Sequence, residues 1–522
     1  MITRPSLGRS GGLAVQSEKV LVRFMVHGVR NAGLIGTFLV GASLHALAFD
    51  PMMPGDDRLA PSVEIAAPII KPVEINPVAV EIEKLFREQN AIRKFARIPK
   101  SEIQAVANFY TARNNAPLWL TDKGWTSEAS SLIDRLSRAE EDALEPRDYP
   151  VRMDNASGLA APLLAETDIS LSLAIVAYAR DARGARIEPV RLSKLMTPQL
   201  DVPKTQDVLA NIVAASDPGR ALQAYNPQHP TYQKLKAKLA ALRDVTGSLT
   251  PASAPPVPRT PNKSDARVAQ IANGPITSTE IIANMERWRW LPAALNPNRI
   301  EVNLPEFKLR LYRDNAVIHE ARTIVGKKDT PTPLLTAEMT HLIVNPSWYV
   351  PQSIIQNEFM PKMQDDPEFA ARHGYEVIQD GDMTYMRQPP GDDNALGYVK
   401  FMFPNQHSVY LHDTTTRKLF ANTERAYSHG CVRLDDPFAL AGILLADQDY
   451  TTESLKAMIG KAEKMIKLKA PLAIHLNYFT LAVDADGNLS RINDVYGYDK
   501  MVAGALGIGG PKAVATLGKA VR

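Results

Sequence analysis

Apolar side chains recur at three- and four-residue steps through residues 78–243, then alternate with polar ones from about residue 299 onward. The first spacing puts one side of each helical turn on a core; the second puts every other side chain on one face of a strand. In the first stretch Ile82, Leu85, Phe86, Ile92 and Phe95 share a helical stripe. Ser101 with Gln104 has the capping-box spacing, ahead of Ile103, Val106, Phe109 and Tyr110. "TDISLSLAIVAYARDARG" predicts a helix from a Thr167 cap to a Gly184 stop, and "HPTYQKLKAKLAALRD" another. A short helix, "STEIIANMERWRWLP", precedes the change of period. Then Ile300, Val302 and Leu304 share one strand face, as do Phe307, Leu309 and Leu311, with a turn at Asp314-Asn315. "HLIVNPSWYV", "YVKFMF", "SVYLHD" and "PLAIHLNYFTLAVDADGNL" read as further strands, the last with a hairpin turn at Asp486-Gly487. Helices are expected from Asp436-Pro437 and through "TTESLKAMIGKAEKMIKLK". The expected fold is α+β and multidomain: helical over 78–243, mostly β over 276–500, with a loose tail at 501–522.

Two proline-rich stretches, 49–77 and 244–275, separate these regions as extended linkers. Ahead of the first, residues 32–49 form an uncharged apolar run behind Arg23 and Arg30. Ala46-Leu47-Ala48 fits a small-x-small cleavage site, so residues 1–48 read as a signal peptide cut after Ala48, or as a membrane anchor. Met25 would give a leader of more usual length. Either reading places the remainder outside the cytoplasm.

Composition narrows the function classes. With 60 basic and 57 acidic side chains the net charge is +3, which gives no electrostatic case for nucleic acid. Apolar content of 45% is that of an ordinary globular chain, and the length suits about three domains. A single cysteine, Cys431, excludes an intramolecular disulfide.

That cysteine lies in "AYSHGCVRLDDP". A lone cysteine is more often a buried small hydrophobe than a nucleophile, and a reactive one needs a base or cation beside it. His429 stands two residues before it; His412, on "YLHDT", has fifteen residues between it and Ser428 and lies at the end of a predicted strand. Either histidine can serve as base, with Asp413 offering a carboxylate or carbonyl to fix an imidazole tautomer. The Gly430 and Cys431 N–H groups are candidate oxyanion donors, and Arg433 can hold a carboxylate or brace the loop. As a metal site, His412, His429 and Cys431 supply only three ligands without the usual paired spacing.

"HDT" followed by "SHGCVRL" resembles the active-site signature of the YkuD-type L,D-transpeptidases, His-x(14–17)-[Ser/Thr]-His-Gly-Cys. "MERWRWLP", "VGKKDTPTP", "NPSWYVPQSI", "RQPPGDDNALGYVKFMFPN" and "DADGNLSRINDVYGYD" look like the larger periplasmic, YcbB-type branch. "FYTARNNAPLW" and "YARDARGARIEP" resemble that branch's scaffold domain, so the likeness spans about residues 80–500. The small peptidoglycan-binding module common in the branch is missing; its place holds only the 244–275 linker.

The resemblance implies a β-sandwich-like catalytic domain with a lid insertion at 352–398. It makes Cys431 the nucleophile on a tetrapeptide stem, His412 the base, the Asp413 carbonyl its orienter, and the Gly430 and Cys431 amides the oxyanion donors. His429 would support the loop. Ser428, Arg433, Trp348 and Tyr349 would face substrate. No cofactor or metal is implied. The partners would be stem peptides, a tetrapeptide donor and a diamino-acid acceptor, along with wall-synthesis enzymes. Three readings stand: a transpeptidase making 3→3 cross-links, a carboxypeptidase or exchange enzyme using the same thioester, and a non-catalytic wall-binding scaffold.

Overall fold

The computed structural model describes residues 76–508 except 89–97, 122, 154–155, 248–273, 382 and 485. The expected leader, nearly all of both linkers, and Ile92 and Phe95 therefore lie outside the described residues. All described residues belong to one compact unit.

Among the described residues, the helices of six residues or more in the first half are α1 (Pro77–Glu88), α2 (Lys100–Thr111), α3 (Ser127–Ser137), α4 (Ala161–Arg180), α5 (Thr205–Ala214), α6 (Pro218–Gln223) and α7 (Pro230–Gly247). Helix α4 is apolar around its whole circumference, so it is buried on all sides and the other helices gather around it. The stretch Ala161–Ala185 is long and apolar enough to cross a membrane, but 61% of its apolar window is buried inside the protein, as in a core helix. It starts six residues before the expected cap: Pro162 seeds the first turn and Thr167 is a buried interior residue. Likewise α2 starts at Lys100 behind Pro99, with no side-chain cap from Ser101. Buried Asp168 of α4 accepts the Leu118 N–H (3.0 Å), the Trp119 N–H (2.8 Å) and the Tyr110 hydroxyl (2.5 Å), which ties the 112–120 loop to α4. Gly184, at φ +87°, ends this run; a Cβ there would meet the Arg289 carbonyl at 2.9 Å, so the close approach needs glycine.

Helix α8 (Ser278–Trp288) opens on a Thr277/Glu280 capping box. Its apolar side buries Ile281, Met285 and Trp288 against Tyr232, Leu235 and Leu239 of α7, and against Phe479 and Leu481. The strands that follow are β2 (Arg299–Asn303), β3 (Lys308–Arg313), β4 (Ala316–Gly326), β5 (Leu334–Val344), β9 (Val399–Met402), β10 (Leu411–His412), β12 (Val432–Leu434) and β13 (Lys464–Asn477). They pair in the order β9-β10-β12-β4-β3-β2-β13-β5, and β9 pairs with β5, so the ladder closes on itself around an apolar core. Strand β1 (Met196–Thr197), from the otherwise helical region, pairs in parallel with Leu334 and Leu335 of β5. The helical half thus lends a strand to the closed sheet.

The expected helix over 451–469 is only partly present. A short α10 (Thr452–Lys456) is followed by β13, whose Ile466 pairs with Leu342 of β5. The lysine-rich "KMIKLK" has helix propensity, but pairing with β5 and burial of Ile466 override it.

Strands β6 (Trp348–Tyr349), β7 (Glu376–Asp380) and β8 (Met383–Gln388) form a separate antiparallel sheet in the order β6-β8-β7. Val350, Ile355, Ala370 and Met386 give it a small core of its own, with Trp348 and Phe359 against it.

Candidate active site

The site follows from strand phase. Phe401, Leu411 and Val432 stand in register on β9, β10 and β12, and all are fully buried in the core. Side chains alternate, so the next rung, Lys400–His412–Arg433, faces the other side of the ladder. Tyr410, two residues before His412, and Cys431, two before Arg433, extend the same face. A thiol, an imidazole, a phenol and two cations are brought together from three segments.

Cys431 is half-buried. Burial pushes its thiol up, while Tyr410, Lys400 and Arg433 pull it down. The Tyr410 hydroxyl stands between Cys431 and the Trp348 indole, and burial with the thiol beside it raises the phenol. Its ring lies edge-on to His412 at 5.7 Å between centroids and carries the Lys400 ammonium at 3.9 Å.

His412 is 5% exposed, and burial with the Arg433 and Lys400 charges holds it down to about 3. Backbone groups of Asp413 and Leu396 pull the other way, but neither is in hydrogen-bond geometry with the buried Nδ1, which has no partner among the described residues. The Asp413 backbone, expected to orient the ring through its carbonyl, thus acts on His412 from outside close hydrogen-bond geometry. The Asp413 carboxylate is engaged elsewhere: it accepts the N–H of Tyr398 (3.0 Å) and of Thr414 (2.7 Å) and pairs with Arg417 (2.6 Å). It packs so closely on Gly397 that a Cβ there would meet the carboxylate at 2.5 Å.

The Gly430 turn is held from within. Ser428 is buried; its hydroxyl donates to the Cys431 carbonyl (2.5 Å) and accepts the Gly430 N–H (3.1 Å). Two expectations change here. Ser428 braces the loop with its whole hydroxyl and does not face substrate, and the Gly430 N–H is turned to Ser428 and not toward an oxyanion. Gly430 has φ +117°, a conformation that side-chain-bearing residues rarely adopt.

His429 lies on the outer side of this turn. Its Nε2 is 2.5 Å from Glu358 Oε1, on the segment expected to be a lid, and 3.3 Å from Lys327 Nζ. Arg433 donates to the Thr416 hydroxyl at 3.0 Å. Trp348 reaches the site through Tyr410, whereas Tyr349, on the opposite phase of β6, is 69% exposed. Sequence reasoning missed Tyr410 and Lys400. Their signal was the alternation itself, a tyrosine and a lysine in the polar phase of strands whose other phase is wholly apolar.

Because His412 is held far below the usual imidazole range, it stays neutral across ordinary pH. Alkylation of Cys431 by iodoacetamide is therefore expected to rise along one limb set by the thiol, without an inflection near the ordinary histidine value of about 6.5. A distinct step near that pH would show an imidazole titrating beside the thiol.

Residues 297–453 match the family profile of the YkuD L,D-transpeptidase catalytic domain, and residues 104–239 match a Scaffold domain. A putative L,D-transpeptidase of Haemophilus influenzae is 32% identical over 240 residues, covering 43% of this chain and 48% of the relative. The chain thus spans about half the length of the curated relative it matches. The Ldtfm–avibactam carbamoyl enzyme is 15% identical over 35% of this chain and 50% of its own, with a TM-score of 0.17. A cysteine-to-serine mutant of an Enterococcus faecium L,D-transpeptidase is 15% identical over 35% and 51%, with a TM-score of 0.16. These two likenesses are too slight to bear on the fold. Residues 297–453 thus resemble the L,D-transpeptidase catalytic domain of the YkuD family, on one chain with a stretch that resembles a scaffold domain.

Proposed function

We propose that the protein is a peptidoglycan L,D-transpeptidase that forms 3→3 cross-links through a thioester on Cys431. The supporting observation is the single ladder face that presents Cys431, His412, Tyr410, Arg433 and Lys400 together. Cys431 Sγ attacks the carbonyl carbon of the third residue of a tetrapeptide stem, and neutral His412 takes the thiol proton. The Cys431 N–H faces the oxyanion, and Arg433 holds a stem carboxylate. The C–N bond breaks, and terminal D-alanine leaves with a proton returned by His412. The side-chain amine of a second stem then attacks the thioester and frees the thiol. The thioester conserves the energy of the broken peptide bond, which suits a compartment without ATP.

Residues 352–398, which carry Glu358, close over the cleft and keep water from the thioester. Residues 1–48 export the chain to the periplasm, or anchor it at the inner membrane. Enzymes that trim stems to tetrapeptides supply its donor, and other wall-synthesis enzymes are its partners. The proposed domain limits are 78–243 for the scaffold and 276–500 for catalysis.

Incubation of the protein with a disaccharide-tetrapeptide, with products read by mass spectrometry, tests this. A dimer lacking one D-alanine is expected. Tripeptide without dimer would replace cross-linking by hydrolysis, and unchanged substrate would remove the enzymatic reading.

A further inference from the structure

We propose that Lys400 is a positioning residue whose charge, set against the Tyr410 ring, supports the Cys431 thiolate that forms as His412 takes the thiol proton. The inference rests on the reading of Cys431 as nucleophile. In many thiol enzymes a protonated histidine pairs with the thiolate. Here an imidazolium at His412 would stand buried in one rung with Lys400 and Arg433, so it is poorly placed to be the lasting partner of the thiolate. A half-buried thiolate still needs a counter-charge, since the desolvated anion is costly without one.

Lys400 stands where such a charge is needed. It is opposite His412 in the β9–β10 register, and its ammonium rests on the Tyr410 ring at 3.9 Å. That ring in turn presents its hydroxyl to Cys431. Lys400 is partly buried and makes no ion pair with any carboxylate among the described residues. The groups that face it are Cys431, Tyr410, His412, His341 and Glu463. Of these, Cys431 and Glu463 are the groups that become anionic; Cys431 bears on Lys400 the more strongly, and Glu463 also accepts the Ser347 N–H at 2.5 Å. The coupling runs both ways: the Lys400 charge lowers the thiol, and the thiolate raises the ammonium against the effect of burial. Around Cys431 the remaining charged or titratable neighbours are Tyr410, Arg433 and His412. Arg433 is fixed at the rim by Thr416, so Lys400 is the cation left free to respond.

The test is the pH profile of Cys431 alkylation by iodoacetamide, followed by mass spectrometry, in the full chain and in Lys400→Met, Lys400→Gln and Lys400→Arg. Each variant is first checked for an unchanged circular dichroism spectrum and melting transition. Loss of the charge in Met or Gln is expected to move the half-reactivity point up by about one pH unit, making alkylation roughly tenfold slower at pH 7.5. Lys400→Arg, which keeps the charge, is expected to stay within about threefold of the parent. Superimposed profiles for the parent and whichever neutral variant folds would overturn the assignment. So would an arginine variant displaced as far as the neutral ones, because geometry and not charge would then be the cause. Alkylation needs neither stem peptide nor acceptor. A missing cross-linked product together with a Lys400-dependent profile would therefore overturn the function and leave this assignment intact, and the reverse pattern would do the opposite.

Discussion

Cys431→Ala is expected to abolish transfer from a tetrapeptide stem, lowering the rate on the order of 10^4- to 10^6-fold, while the melting temperature moves by only a few degrees. The large effect follows from the reading of the site. No other thiol exists in the chain; of the neighbouring hydroxyls, that of Ser428 is fully engaged in holding the loop, and burial keeps the Tyr410 phenol protonated and a poor nucleophile. Nothing nearby can inherit the acyl group. The small stability effect follows from burial: Cys431 is half-exposed, and the ladder beside it is held by Leu411, Val432 and Leu434, which lie wholly in the core. Removing one sulfur from such a place costs about 1 kcal/mol or less. The measurement is initial rate by product mass spectrometry alongside differential scanning calorimetry. Residual turnover above about one-thousandth of the parent rate would sink the acyl-enzyme reading, whatever the product. Replacing His412 by alanine is a weaker lesion, about 10^2- to 10^4-fold, because a general base assists a nucleophile that already exists.

The candidate nucleophile and candidate base could be named from the sequence because both lie on short segments with fixed spacing, and the strand read at "SVYLHD" does end at His412. The supporting shell was less legible, for physical reasons. Lys400 is in "YVKFMF", where the strand pattern gave its phase but not its neighbours, and only the β9–β10 register places it opposite His412. Ser428 and Gly430 could be named from the motif, yet which way their polar groups turn depends on one local hydrogen-bond pattern that residue types do not dictate. Asp413 could be named for its backbone carbonyl, and its backbone does act on His412; that its carboxylate stitches Tyr398, Thr414 and Arg417 depends on contacts the residue type does not dictate. At the level of the fold, the change of period at residue 299 was a sound guide to helix and strand. It failed where long-range pairing outweighed local preference, at β13, and where a two-residue strand, β1, was too short to leave a periodic trace.

Arg289 is the other position where one substitution is expected to have a large effect, here on stability. It follows α8 and is completely buried, paired with equally buried Glu286 at 3.1 Å. Its other guanidinium nitrogen donates to the Asp142 carbonyl and to the Tyr232 hydroxyl (2.8 Å), and the charge lies over the Tyr232 ring at 5.6 Å. Asp142 in turn pairs with Lys236 at 2.6 Å and accepts the Tyr178 hydroxyl at 3.3 Å. The network thus couples the catalytic half to α4 and α7 of the helical half. Arg289→Met keeps most of the volume but strands the Glu286 charge and several acceptors, a loss of about 3–5 kcal/mol. One oxygen of Glu286 already lacks a partner, so no second donor is at hand to compensate. The double variant Arg289→Met with Glu286→Gln removes the stranded charge and is expected to recover about half of that loss. Urea denaturation of the three proteins measures this. A single variant within about 1 kcal/mol of the parent would mean that water reaches Glu286 and that the junction is not sealed. A double variant no better than the single would place the cost in the Asp142 and Tyr232 contacts and not in the unpaired carboxylate.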